Sequence, residues 1–190
     1  MSDALVKEDR FWTYKDYREW DLKEGERYEL IYGVSYAMSA PSAYHQSILV
    51  ALAANFYNFL QGKPCKVYPA PFDVRLFYNE DESDDTVVQP DLTVICDEKK
   101  RGPEGCRGAP DLVVEILSPS NTVMEMDRKI SLYQKAGVRE YWVVSPEEKV
   151  IHVHCFQEGK LAFRVYNAGD TALSDILPGL EIPLGPVFAE

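Results

Sequence analysis

Apolar residues recur along this chain in two rhythms, and each change of rhythm marks an element. Residues 11–24 (FWTYKDYREWDLKE) mix aromatic and charged side chains, with Thr13 or Asp16 placed to cap a short helix. Tyr28 to Met38 (YELIYGVSYAM) predicts two short strands joined near Tyr32-Gly33. Ser39-Ala40-Pro41-Ser42 breaks that pattern and predicts a helix start. From about Ala43 to Leu60 the spacing turns helical: Ile48, Leu49, Leu52, Ala53, Phe56, Phe59 and Leu60 form one apolar stripe, which Gly62-Lys63-Pro64 ends. His45, three residues before Ile48, falls on the buried side of this helix.

The pattern then becomes strand-like. Lys66-Val67-Tyr68 and Phe72 to Leu76 form a first strand region, Val87 to Ile95 a second and Pro110 to Leu117 a third, with a turn-rich segment from Lys99 to Ala109. A second helix is predicted from about Thr122 to Ala136, stopped by Gly137. Glu140 to Val144 reads as a short apolar strand. Val150 to Phe156 and Leu161 to Tyr166 read as a hairpin around Glu158-Gly159, and the tail as a loop with a short edge strand. The order is helix, three strands, helix, strand, with a hairpin on each side: a mixed α/β domain.

Composition narrows this. A length of 190 residues predicts one domain, 1–190, and 46% hydrophobic with 27% charged residues suits a soluble globular protein. No run approaches the roughly 18 apolar residues of a membrane span. The segment Met1 to Arg10 has no apolar signal-peptide core, so a cytoplasmic location is expected. Four widely spaced cysteines, Cys65, Cys96, Cys106 and Cys155, contain no Cys-x-x-Cys pair, which argues against a zinc ribbon or a thioredoxin-like motif; no disulfide is expected in that compartment. The net charge of -11 argues against broad nucleic-acid binding, although a metal-dependent nuclease site is itself acidic. The acidic block from Asn79 to Asp85 reads as a solvated loop.

Candidate chemistry appears where charge interrupts the apolar pattern. Glu115 lies in Leu112-Val113-Val114-Glu115-Ile116-Leu117, and an unpaired buried carboxylate must neutralise or find a partner. On the second helix, with Met126 set at zero and about 100° per residue, Ile130 falls at about 40°, Tyr133 at about 340° and Ala136 at about 280°. Lys129, at about 300°, lies inside this buried stripe. If the helix packs on the strand, Glu115 and Lys129 can meet, and the blandest interpretation is a buried ion pair without chemistry. Asp91 follows Pro90 in the preceding strand region, and adjacent strands bring it beside Glu115. Two carboxylates that close repel unless a proton or a divalent cation lies between them. Two carboxylates plus a lysine make a metal-hydrolysis set.

The order Pro90-Asp91, Glu115 and then Lys129 resembles the PD-(D/E)xK nuclease superfamily. More closely, the chain is similar to a widespread bacterial group of restriction endonuclease-like proteins of unknown function. That resemblance rests on Tyr28-Glu29-Leu30-Ile31-x-Gly33, His45, Gln89-Pro90-Asp91-Leu92, the stretch Ala109 to Ser120, Asp127-x-Lys129, and Tyr133-x-x-Ala136-Gly137-Val138-x-Glu140-Tyr141-Trp142. It implies a restriction endonuclease-like core and an endonuclease hydrolysing DNA phosphodiester bonds. Asp91 and Glu115 would bind Mg2+ (or Mn2+), and Lys129 would act on the nucleophile or phosphate. Leu117 stands where the superfamily motif expects its lysine, which implies that the lysine has migrated to the next helix as Lys129. Glu29 and His45 are auxiliary site candidates. A homodimer is expected, because symmetry matches two scissile bonds. The competing reading is a non-catalytic metal- or partner-binding module that retains the nuclease fold.

Other candidates are weaker. Asp111 lies four residues before Glu115 and reads as a strand-start residue. His152 and His154 share one strand face without an evident third zinc ligand. Asp127 reads as helix surface, and Ser118 as part of the turn before the helix cap.

Overall fold

The structure is a computed structural model that describes residues 10–119, 121–157 and 160–189. The readings made on the N-terminal segment and on the Glu158-Gly159 turn lie outside these residues.

The predicted first hairpin forms from β1 (Tyr28–Ile31) and β2 (Val34–Ala37). Tyr32 and Gly33 both take positive φ, 49° and 75°, the twist that a two-residue turn between antiparallel strands requires. Before the hairpin, α1 (Tyr14–Tyr17) starts at Thr13, which forms a capping box with Asp16. After it, α2 (Ala43–Leu60) is capped by the Ser42 hydroxyl, which accepts from the His45 N–H.

Two six-stranded sheets follow, one more than the sequence pattern suggests. The main sheet contains β3 (Lys66–Pro69), β6 (Leu92–Ile95), β9 (Leu112–Ile116), β10 (Glu140–Ser145), β11 (Val150–Gln157) and β12 (Lys160–Asn167), in the order β12-β11-β10-β9-β6-β3. Within this sheet, among the described residues, β9 and β10 are the parallel pair, because α3 (Val123–Ala136) carries the chain between them. Gly137, in the left-handed conformation at φ 93°, ends α3. The second sheet joins β1 and β2 to β4 (Val74–Arg75), β5 (Val87–Val88), β7 (Arg101–Gly102) and β8 (Gly105–Arg107), in the order β2-β1-β5-β4-β8-β7.

The apparently continuous strand Val87 to Ile95 is therefore two strands, β5 in one sheet and β6 in the other. Pro90 falls between them, where its missing N–H takes no hydrogen bond from either ladder. Residues 89–91 thus cross from sheet to sheet.

Alternation along β9 divides the core. Leu112, Val114 and Ile116 face α2 and pack with Ile48, Leu52, Phe56 and Trp142. Val113 faces α3, with Leu132, Tyr133, Tyr141 and Val143. The tail forms the pair β13 (Thr171–Leu173) and β14 (Glu181–Pro183) and a short helix, α4 (Leu184–Val187). Leu177, Leu180, Ile182 and Phe188 close the core on the α2 side.

Two expectations change. Cys65 and Cys96 are joined in a disulfide, because the β3–β6 register (Lys66 opposite Ile95) places them directly across from one another. The acidic block is not simply solvated: Asp84 is buried and ion-paired with Arg75, whose Nε donates to Asp84 Oδ2 at 2.9 Å.

Candidate functional site

Glu115 points to the α3 side of the main sheet because it is two residues beyond Val113 on the same face of β9. There it meets Lys129, whose Nζ donates to Glu115 Oε1 at 2.8 Å. The same oxygen accepts from the Tyr133 hydroxyl at 2.6 Å, one helical turn further on. Lys129 Nζ also lies 3.2 and 3.1 Å from the two carboxylate oxygens of Glu29, on β1 of the other sheet. One ammonium thus joins the two sheets through two carboxylates.

Asp91 enters from the crossing segment. The β6–β9 register pairs Leu92 with Val114, so one step further Asp91 stands opposite Glu115. Its Oδ2 accepts from the Ile116 N–H at 2.7 Å and lies 3.3 Å from His45 Nε2. His45 therefore reaches Asp91 from the start of α2, and its buried Nδ1 has no hydrogen-bond partner. In the same segment the Gln89 N–H donates to Glu29 Oε1 at 3.1 Å.

The electrostatics follow from burial. Desolvation pushes the Glu115 carboxyl up to about 7, against the opposing pull of Lys129, while Glu29 and Asp91 add to the rise. Burial alone would lower the Lys129 ammonium, but Glu115 and Glu29 outweigh it and hold the group charged. Burial likewise raises Tyr133 well above the usual phenol value, so it stays a donor. For His45, burial lowers the imidazole pKa, but the hydrogen bond and charge of Asp91 outweigh it and raise it overall.

Among the described residues no hydrogen bond reaches Glu115 Oε2 or Asp91 Oδ1. Two carboxylate oxygens are left uncommitted in a pocket also lined by Glu29 and His45. Hard divalent cations take such oxygen donors, so the residues present fit one. A tighter cluster of metal-ligand type lies elsewhere, where ligand atoms of Glu140, Cys155 and Asp175 fall within 4.8 Å of one another. Its acids are committed already: Glu140 accepts from Trp142 Nε1 and the Asp175 N–H, and Asp175 holds Arg164 at 2.6 Å from both carboxylate oxygens.

The sequence candidates thus divide. Glu115, Lys129, Glu29, Asp91 and His45 line one pocket. Asp111 is tied elsewhere, accepting from the Cys96 N–H at 2.7 Å and pairing with Arg139. His152 and His154 pack against Phe163. Asp127 is exposed, and Thr122, at the end of the turn that includes Ser118, caps α3. Sequence reasoning missed Tyr133, Gln89 and Arg128, the last of which also lines this pocket. Tyr133 reads only as core because its hydroxyl leaves no trace in hydrophobic spacing. Gln89 sits inside the Pro-Asp motif without an assigned role. Arg128 resembles any surface arginine.

Residues 14–185 match the family described as “Uma2: Putative restriction endonuclease”. The chain belongs to this family. The “Uncharacterized protein slr1290” of Synechocystis is 28% identical over 158 residues, covering 82% of this chain and 80% of its own. The crystal structure of a “putative nuclease belonging to DUF820” from Anabaena variabilis superposes with a TM-score of 0.72 at 18% identity, over 93% of this chain and 97% of that one. At that identity the likeness is one of fold, and the fold is nuclease-like. No helix among the described residues is long and apolar enough to cross a membrane.

Proposed function

We propose that this Uma2 protein is a divalent-metal-dependent endonuclease that hydrolyses DNA phosphodiester bonds. The observation that carries the reading is that Lys129 lies between Glu29 and Glu115, in a pocket that Asp91 also lines, with Glu115 Oε2 and Asp91 Oδ1 uncommitted. Asp91 and Glu115 hold Mg2+ (or Mn2+), which when bound supplies charge neutralisation at phosphate and a more acidic water. Tyr133 and Lys129 fix the Glu115 carboxylate by its Oε1 and so aim Oε2 at the pocket. His45 and the Ile116 N–H do the same for Asp91 through Oδ2. Lys129, kept charged, orients the attacking water or stabilises the negative charge that develops on phosphate. Glu29 shares the ammonium and keeps it from collapsing fully onto Glu115. A homodimer that presents two sites to two strands completes the proposal.

The test is incubation of supercoiled plasmid with the purified protein in Mg2+ or Mn2+. Nicking is expected, lost on chelation and in Glu115→Gln and Lys129→Met. Cleavage that persists in both variants sinks the assignment. Calorimetric metal binding with no cleavage of any nucleic acid favours the non-catalytic module instead. Sedimentation analysis reads the oligomeric state.

A further inference from the structure

Resting on the hydrolase reading above, we propose that Arg27 and Arg128 form a phosphate-binding subsite beside the carboxylates, gripping a backbone phosphate of the strand adjacent to the one cut. Both arginines line the same pocket as Glu29, Asp91, Glu115 and Lys129. Both are half-buried.

The chain carries 31 acidic residues against 20 basic ones, so carboxylate partners are plentiful. Arg10, Arg18, Arg75, Arg139 and Arg164 each hold one. Among the described residues no carboxylate pairs with Arg27 or Arg128, and the Arg128 Nε is buried without a hydrogen-bond partner. A buried N–H donor left without an acceptor is costly.

Position follows from α3. Arg128 is the residue before Lys129, so the two side chains leave the helix about 100° apart, and Arg128 stands at the flank of the reacting centre. Its guanidinium lies 4.2 Å from the centre of the Tyr36 ring on β2. That cation–π contact holds the group in place without engaging a carboxylate. Arg27 enters one residue before β1, the strand that supplies Glu29. Arg128 therefore comes from the helix that delivers Lys129, and Arg27 from the residue that leads into the strand delivering Glu29.

The need for them is electrostatic. Glu29, Asp91 and Glu115 repel an approaching phosphodiester, and Lys129 is already shared between two carboxylates. Neutralising one scissile phosphate does not offset the repulsion on its neighbours along the strand. A guanidinium presents paired N–H donors that match phosphate oxygens.

Fluorescence anisotropy with a labelled 20-nucleotide single strand and the matching duplex, in Ca2+ and in EDTA, tests the proposal. Arg27→Ala and Arg128→Ala are each expected to weaken binding by about tenfold or more, and to reduce the salt slope by about one per arginine, irrespective of sequence. Arg128→Lys should keep the slope and lose part of the affinity. Arg139→Ala, whose partner is Asp111 away from the pocket, serves as the control. Thermal melts of each variant establish that the fold is intact. Unchanged affinity and slope in folded Arg27→Ala and Arg128→Ala overturn the subsite. So does a wild-type chain that binds the strand no better than the double variant, or inorganic phosphate and a mononucleotide binding as tightly as the oligonucleotide. Loss of binding in the arginine variants with no cleavage by the wild-type chain upholds the subsite and sinks the hydrolase. Loss of cleavage in Glu115→Gln with unchanged Kd and KM in the arginine variants does the reverse.

Discussion

Lys129→Met isolates the ammonium that joins the two sheets. The three side chains it involves are well buried, with relative exposures of 18% for Lys129, 7% for Glu29 and 13% for Glu115. Methionine keeps the length of the stem and removes the charge. Two carboxylates then face one another without a cation, and breaking a buried pair in this way costs about 3–5 kcal/mol. Little of that returns through burial, because the lysine stem is already covered; the gain is about one methylene, roughly 0.8 kcal/mol. The net loss at pH 8 is about 2–4 kcal/mol, which for a chain of this size lowers Tm by about 10 °C.

The sign of the pH dependence separates this account from simple packing loss. Burial raises the Glu115 carboxyl from the ordinary 4.5 to about 7. A carboxyl raised in the folded state binds its proton more tightly there than in the unfolded chain. Its stabilisation is fully present below about 4.5 and lost as pH rises through about 7. Lys129 opposes that rise, so without it Glu115 takes its proton at still higher pH. The gap between Lys129→Met and the wild-type chain should therefore be wide at pH 8 and narrow at pH 5.5. Adding Glu115→Gln to Lys129→Met should recover much of the loss at pH 8. Thermal unfolding followed by circular dichroism at both pH values reads all three chains. A gap of equal size at pH 5.5 and pH 8, or a variant as stable as wild type, refutes the reasoning.

Three further outcomes are expected. Tyr133→Phe removes the 2.6 Å bond to Glu115 Oε1, costing about 1–2 kcal/mol in urea unfolding and moving the acid limb of any pH–rate profile upward, since the carboxylate loses a donor. Arg75→Met strands the buried Asp84 and should cost about 3–5 kcal/mol, read as a lower urea midpoint with an unchanged m-value. Reduction of Cys65–Cys96, or Cys96→Ser, opens a cross-link between residues 31 apart and should cost about 3–4 kcal/mol, visible by comparing melts with and without dithiothreitol.

The elements legible in the sequence are those with enough residues to display a period. The α2 helix has five turns and an apolar stripe, and its bounds coincide with the predicted Ala43 to Leu60. The second sheet was not legible, because β4, β5 and β7 have two residues each and β8 has three, too short for alternation to register. Cys65 and Cys96 gave no local signal either; only the β3–β6 register brings them together. Glu115 and Lys129 stood out because each is a charge inside an apolar pattern. Arg27 and Arg128 broke no pattern, so only the pocket makes them conspicuous.

Burial of a carboxylate does not by itself mark a site, and Glu140 shows why. It is fully buried, like the core around it, and burial raises its pKa as it does that of Glu115. Yet both of its oxygens are occupied: Oε1 accepts from the Trp142 indole at 2.6 Å, and Oε2 from the N–H groups of Asp175 and Ile176 at 2.7 and 3.3 Å. Those bonds pin the segment between β13 and β14 to β10, and nothing is left over for a ligand. Glu115 differs in that both of its donors converge on Oε1. Asp91 repeats the pattern, with the Ile116 N–H and His45 both on Oδ2. A purely structural ion pair gains most by satisfying every oxygen, and buried pairs add little stability over apolar replacements even then. Two half-satisfied carboxylates facing one pocket, with a charged lysine between one of them and a third, are poorly explained by stability. On the proposed function, a cation would supply the missing partner of the two carboxylate oxygens, and a phosphate the acceptor for Arg27 and Arg128, which pair with no carboxylate among the described residues.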